Sequence, residues 1–328
     1  TRPGPQPPAM AFVMAAIVPV TRRRCIAATA MVESAATTVL LASGVRAGWL
    51  RRQRRHFAGS AAPNSQCAAL VLAHGFMGGR KVPGLPLEYF RGIGADLQAQ
   101  GHEVLVTEVP PTAPVALRAE ALRDQIHRWP ARRGRRVALL AHSMGGLDAR
   151  YAISKLGADS LVQTLLTVAT PHRGSLIADM VLQSCDFIGL TNLMQALPVR
   201  LLAEMPDGGR CLSTGAAAAF NEEVRDAREV LYLSVGGDRG SALRTSPELL
   251  PTYLYLSSHE GANDGLVSVA SSRWGSYLRT LDMDHLHQIN FPLPHRWVSG
   301  APSFRDVLLA YRQLAEEVTE PSFWSGGT

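Results

Sequence analysis

The sequence predicts an α/β architecture built on a parallel sheet, and three observations carry that expectation. Short, continuous apolar runs at Cys67–Ala73, Glu103–Val109, Val137–Ala141 and Val162–Ala169 have the make-up of strands buried on both faces. Segments of helical spacing separate them, near Tyr89–Gln100, Ala116–Trp129 and Gly145–Leu156. The composition, 46% hydrophobic and 18% charged over 328 residues, is that of an ordinary globular chain with enough length for a large core. Strands alternating with helices in this way give βαβ units with right-handed crossovers.

The elements follow in order. Residues 1–60 stand apart from the rest, with nine arginines and a single acid, Glu33, for a net charge of +8. The whole chain carries +6, so residues 61–328 carry −2 by subtraction. The basic character therefore belongs to the arm, and a nucleic-acid partner is not expected, because phosphate neutralisation needs basic residues on the folded body. The longest apolar run of the arm, Ala9–Val20, is too short to span a bilayer, which needs about 20 apolar residues. Arg-rich, acid-poor composition reads as an organelle transit peptide, and the stretch from Arg54 to Ala58 resembles a mitochondrial processing junction. A disordered or lipid-touching tail is the alternative for the arm, and plastid or cytosol the alternative location. After a linker at 61–65 the pattern changes, and one α/β domain is expected from 61 to 328, with a later strand at Val230–Val235 and a closing helix at Phe304–Val318. The four cysteines lie far apart with no C-x-x-C pair, so neither a zinc site nor a disulfide framework is expected.

Between the run Val137–Ala141 and the helix that begins near Gly145 stands Ala141-His-Ser-Met-Gly145. A serine in such a strand-to-helix turn has its hydroxyl lifted clear of the sheet, and its neighbours two residues away must be small. Ala141 and Gly145 satisfy that need, which makes Ser143 a candidate nucleophile. The Met144 N–H, directly after it, is one candidate oxyanion donor, and the Phe76 N–H in His74-Gly-Phe-Met-Gly-Gly79 is the second. No Gly-Lys-Ser/Thr follows these glycines, so a phosphate-binding loop is not expected. A serine nucleophile of this kind is followed in the chain by an acid and then a histidine. Gly261-Ala-Asn-Asp-Gly-Leu-Val267 places Asp264 in a loop, and Met283-Asp-His-Leu-His287 supplies His285 as the base. His287 and His295 are rivals for the imidazole, and Asp282 and Asp284 for the acid.

Taken together, His74-Gly75, Ala-His-Ser-Met-Gly-Gly146, Leu147-Asp-Ala-Arg150, Ala169-Thr-Pro-His-Arg-Gly-Ser175, Asn263-Asp-Gly-Leu-Val267 and Asp284-His-Leu286 resemble bacterial triacylglycerol lipases of the Pseudomonas/Burkholderia type. Asn263–Ser268 and Ser272-Arg-Trp-Gly275 are more similar to the fungal and mitochondrial branch of that family. The resemblance covers about residues 67–292. It implies an α/β-hydrolase fold, carboxylic-ester hydrolysis, Ser143, Asp264 and His285 as a triad, and Phe76 and Met144 as oxyanion donors. It implies a lipid or ester partner at an oil–water or membrane interface, and no organic cofactor. It also implies a helical lid, for which the apolar stretch at about 175–206 is the candidate. A phospholipase or acyltransferase on the same triad, or a silent lipid-binding protein, would keep the same motifs.

Two departures from the family pattern bear on metal and redox chemistry. The bacterial lipases hold structural calcium with an Asp two residues after the catalytic His and a Gln four residues later; here those positions are His287 and Phe291. Calcium prefers oxygen ligands, so the site is expected to be lost. The family disulfide uses a Cys six residues after the catalytic Asp, where this chain has Ala270.

Overall fold

Apolar residues alternate between two faces along the central strands, and this alternation builds the fold. The computed structural model describes residues 69–79, 88–183, 207–292 and 300–319, all within the compact unit Arg52–Thr328. The basic arm at 1–60, residues 184–206 of the expected lid, and His295 lie outside the described residues. Strands β1 (Ala69–Ala73), β2 (Glu103–Val106), β3 (Val137–His142), β4 (Val162–Val168), β5 (Leu231–Gly237) and β6 (Ser276–Leu281) form one sheet in the order β2-β1-β3-β4-β5-β6. Every pairing in it is parallel.

On one face Leu70 and Leu72 of β1, Ala138 and Leu140 of β3 and Leu166 and Val168 of β4 share a core with helices α1 (Ile93–Ala99) and α7 (Phe304–Thr319). Ile93 and Leu97 come from the first helix, and Val307, Tyr311, Leu314 and Val318 from the second. On the other face Val71, Leu139 and Leu165 pack with Ala119, Leu122 and Ile126 of α2 (Val115–Arg128) and with Ala149, Ala152 and Ile153 of α3 (Gly145–Lys155). The result is a sheet covered by helices on both sides, the arrangement demanded by strands with two apolar faces. Helices α4 (Leu176–Gln183), α5 (Thr214–Glu223) and α6 (Leu250–His259) lie in the connections after β4 and β5. None of the described helices is long and apolar enough to cross a membrane.

Two elements are shorter than expected. The helix expected at Tyr89–Gln100 begins only at Ile93, because Gly92 is left-handed (φ 72°) and Tyr89 and Phe90 turn into the core ahead of it. The strand expected at Glu103–Val109 ends at Val106. Thr107 N–H and Oγ1 then both donate to the Leu72 carbonyl, and Pro110 and Pro111, which lack N–H donors, carry the chain away from the sheet.

The order of the strands places the functional region. Connections leave β1 toward β2 on one side and return to β3 on the other, so the β1–β3 boundary is the point where the winding reverses. In open α/β sheets, sites form at the carboxyl ends of the strands at such a point. The loops after β1 and β3 carry His74–Gly79 and Ser143.

Candidate active site

Ser143 occupies the turn between β3 and α3 with φ at 55°, a left-handed conformation uncommon for any residue except glycine. Its N–H donates to the Val168 carbonyl (2.9 Å), and its own carbonyl accepts from Thr170 Oγ1 (2.7 Å) and Gly146 N–H (3.1 Å). The glycines around it are required by close approach. A Cβ on Gly145 would lie 2.6 Å from the Ala73 carbonyl oxygen, and one on Gly75 would lie 2.7 Å from Ser143 Cβ. The loop after β1 therefore passes directly over the serine.

The structure brings Ser143, His285 and Asp264 together from 142 residues of chain separation. Ser143 Oγ is 3.0 Å from His285 Nε2, and His285 Nδ1 is 2.8 Å from Asp264 Oδ2. Asp264 is fully buried, and its Oδ1 accepts the N–H groups of Leu266 (3.0 Å) and Val267 (2.8 Å), which fixes the carboxylate plane. The His285 N–H donates to the Asp264 carbonyl (2.9 Å), so the backbones of these two residues are tied as well as their side chains. Such an array can pass a proton from hydroxyl to imidazole and hold the resulting cation against a carboxylate.

The rival residues sit elsewhere. Asp284 turns its carboxylate to Ser246 N–H (2.9 Å) and Oγ (2.5 Å), and its other oxygen lies 2.7 Å from His287 Nδ1. Asp282, itself exposed, pairs with the buried Arg239 and with Arg244.

Phe76 and Met144 lie where their sequence positions require, in the loop after β1 and at the start of α3. Neither backbone N–H donates to an acceptor among the described residues. The N–H groups on either side of Phe76 are used, with Gly75 donating to Tyr89 Oη (3.1 Å) and Met77 to the Pro111 carbonyl (2.8 Å).

Several residues that position this loop are absent from the sequence reading. Arg118 of α2 is fully buried and spreads its guanidinium over the carbonyls of His74 (2.9 Å), Gly75 (3.2 Å), Pro110 (3.0 Å) and Pro111 (3.2 Å), while pairing with Asp148 (2.8 Å). A cation on the same helical stripe as Val115, Ala119 and Leu122 was the signal in the sequence that could have found it. His142, Tyr89 and Gln288 form a further buried set beside Asp264. The Arg150, His172 and Trp274 of the quoted motifs form a stack behind the site. The Arg150 guanidinium lies 3.5 Å from the Trp274 ring centre, and His172 packs on the same indole at 5.2 Å. His172 also lies 3.0 Å from Thr167 Oγ1, so these residues brace β4 and the turn after it.

Burial holds three histidines neutral. It lowers His74 to about 4, helped by the nearby Arg118 charge, and takes His142 and His172 well below the usual imidazole range. These folded-state values lie below the unfolded value of about 6.5, so the stability they carry is complete above that pH and is lost as pH falls. Each histidine still neutral at pH 5 costs about 2 kcal/mol relative to neutral pH. The Asp148 carboxyl, pushed up to about 6 chiefly by burial, acts in the opposite sense but is outnumbered. Thermal unfolding followed from pH 7.5 to pH 5 should show Tm falling steadily below pH 6.5; a level Tm across that range would contradict the neutral-histidine core.

Residues 118–192 match the family model described as a PGAP1-like alpha/beta domain. The chain is 33% identical over 259 residues to triacylglycerol lipase 2 of Saccharomyces cerevisiae, covering 73% of this chain and 76% of that protein. It is 28% identical to a triacylglycerol lipase of Vibrio cholerae, over 67% of this chain and 79% of the relative. Among solved structures, Bacillus licheniformis lipase BlEst2 superposes with a TM-score of 0.61 at 20% identity, covering 80% of this chain and 97% of that one. A metagenomic carboxyl esterase, MGS0156, gives 0.62 at 21% identity, covering 80% and 79%. These likenesses establish the α/β-hydrolase fold, and the extent of identity with the yeast protein shows that the chain belongs to the triacylglycerol lipase family.

Proposed function

We propose that the protein is a lipase that releases fatty acid from triacylglycerol through an acyl-enzyme on Ser143. The observation that carries this reading is the aligned series Ser143 Oγ, His285 and Asp264, at 3.0 and 2.8 Å. Ser143 Oγ attacks the ester carbonyl carbon while His285 Nε2 takes its proton. The negative charge that develops on the carbonyl oxygen is received by the Phe76 and Met144 N–H groups, and Asp264 stabilises the imidazolium. Collapse expels the glyceride alcohol, which takes the proton from His285. Water, deprotonated by the same nitrogen, then attacks the acyl carbon. The second collapse breaks the bond to Oγ, frees the fatty acid and returns the proton to Ser143.

Replacement of the nucleophile or the acid tests the roles. Ser143→Ala should abolish hydrolysis of an emulsified triacylglycerol with Tm nearly unchanged, and Asp264→Asn should cost about 10⁴-fold in kcat. Asp284→Asn should leave kcat within a few-fold. A larger loss from Asp284→Asn than from Asp264→Asn would reverse the assignment of the acid.

The calcium site of the bacterial relatives does not fit the residues of this chain. His287 stands at the position of one carboxylate ligand with its Nδ1 2.7 Å from Asp284, and Phe291 offers only an apolar side chain at the other. Activity and Tm are expected to be the same after dialysis against chelator; a loss restored by added calcium would overturn this part of the reading.

The arm at 1–60, with its +8 charge, is read as a mitochondrial presequence. Fused to a fluorescent reporter, it should carry the reporter into mitochondria in cells, and a reporter left in the cytosol or sent to plastids would refute that address.

A further inference from the structure

Beside the triad, buried polar groups run in an unbroken series between the two halves of the site. Gly75 N–H lies 3.1 Å from Tyr89 Oη, Tyr89 Oη lies 2.8 Å from His142 Nδ1, and His142 Nε2 lies 3.0 Å from Gln288 Oε1. Gln288 Nε2 completes the series at 3.0 Å from Asp264 Oδ2, the same oxygen that receives His285. All four side chains and the glycine are buried, with Gln288 and Asp264 fully enclosed.

The direction of every bond in this series follows from its last member. An ionised carboxylate only accepts, so Gln288 must present its NH₂ to Asp264 and its carbonyl to His142. His142 must then carry its proton on Nε2, which leaves Nδ1 as an acceptor. Tyr89 therefore donates to Nδ1, and its oxygen is free to accept the Gly75 N–H. One carboxylate thus sets the tautomer of an imidazole and the rotor of a phenol. Through these it sets the orientation of the His74–Gly75 peptide unit, the one directly before the unit that carries the Phe76 N–H. The His142 ring centre lies 4.6 Å from that of His285, so a proton on both rings would set two cations in contact. Burial and the His285 charge hold His142 well below the usual imidazole range, which keeps it neutral while His285 cycles.

We propose that Tyr89, His142 and Gln288 are positioning residues acting as one unit, which couples the orientation of Asp264 to that of the Gly75–Phe76 oxyanion loop. The proposal rests on the Ser143–His285–Asp264 reading above. It goes beyond that reading, since neither Tyr89 nor Gln288 touches the reacting atoms. Buried polar series of this kind act cooperatively when complete, and lose most of their effect when one link is removed.

A double-mutant cycle tests it, with Ser143→Ala as the control for the triad. Tyr89→Phe and Gln288→Met lie at opposite ends of the series. Each should lower kcat about tenfold or more with KM little changed, because substrate binding does not use these groups. The two side chains make no hydrogen bond to each other, so independent supports would give losses that multiply. Coupled supports give a double variant no slower than the slower single variant, within a few-fold. Nitrogen NMR of histidine-labelled wild-type enzyme should show the His142 proton on Nε2, and this readout remains if Gln288→Met fails to fold. Multiplying losses, singles at wild-type kcat, or the His142 proton on Nδ1 would each overturn the coupling. Activity retained by Ser143→Ala would instead overturn the triad reading on which it rests.

Discussion

The structure depends on a single backbone constraint, a serine held in left-handed geometry where β3 turns into α3. That conformation costs on the order of 1–3 kcal/mol for a residue with a Cβ, and it persists only where the surroundings over-determine it. Here they do so through the Val168 carbonyl, the Thr170 hydroxyl and the Gly146 amide, with Gly145 pressed against the carbonyl of Ala73. Ser143 is not alone in this. Met77 (φ 59°) and Ala169 (φ 47°) are also left-handed, just beyond β1 and β4, and Asn290 (φ 59°) lies just beyond His285. The described non-glycine residues with positive φ, apart from Arg133, thus gather around the carboxyl ends of the strands. A rigid parallel sheet can bear such strain at its rim because its core on both faces resists relaxation.

The second feature of the site is the density of buried polar groups. Arg118 and Asp148, His74, His142, Tyr89, Gln288 and Asp264 are enclosed, and each meets partners of suitable sign. Groups of this kind cost more than they return if one partner is lost, so they add precision rather than stability. Arg118 shows the logic. One planar guanidinium gathers four carbonyls from two loops, and no apolar side chain could hold those carbonyls in place. The loop that carries Phe76 is thereby held from beneath by Arg118 and from the side by Tyr89.

Much of this was legible in the sequence, for physical reasons that differ by element. Strands β1, β3 and β4 are apolar on both faces and therefore stand out as continuous runs. Strand β6 leaves no signal in the sequence because it is a half-exposed edge, and Ser276-Tyr-Leu-Arg-Thr-Leu281 has no clear alternation. Helices α5 and α6 are equally hard to read. The first is an alanine run and the second a mixed segment with Pro251 in its first turn, and neither has a strong apolar stripe. In the site, Ser143, Asp264 and His285 could be named from turn chemistry and chain order. Tyr89, Arg118, His142 and Gln288 could not, since their roles come from pairings across tens of residues that only the folded sheet brings about. His142 was visible only as the unspecified neighbour of the serine, although it extends β3 and turns inward.

The proposed chemistry converges on Ser143 Oγ and the two amides expected to face it. A crystal structure of the enzyme inactivated by an alkyl phosphonate ester tests this directly. It should show phosphorus bonded to Ser143 Oγ, the phosphoryl oxygen within hydrogen-bond distance of the Phe76 and Met144 N–H groups, and His285 beside the leaving-group side. An adduct on another residue, or a phosphoryl oxygen turned away from both amides, would contradict it.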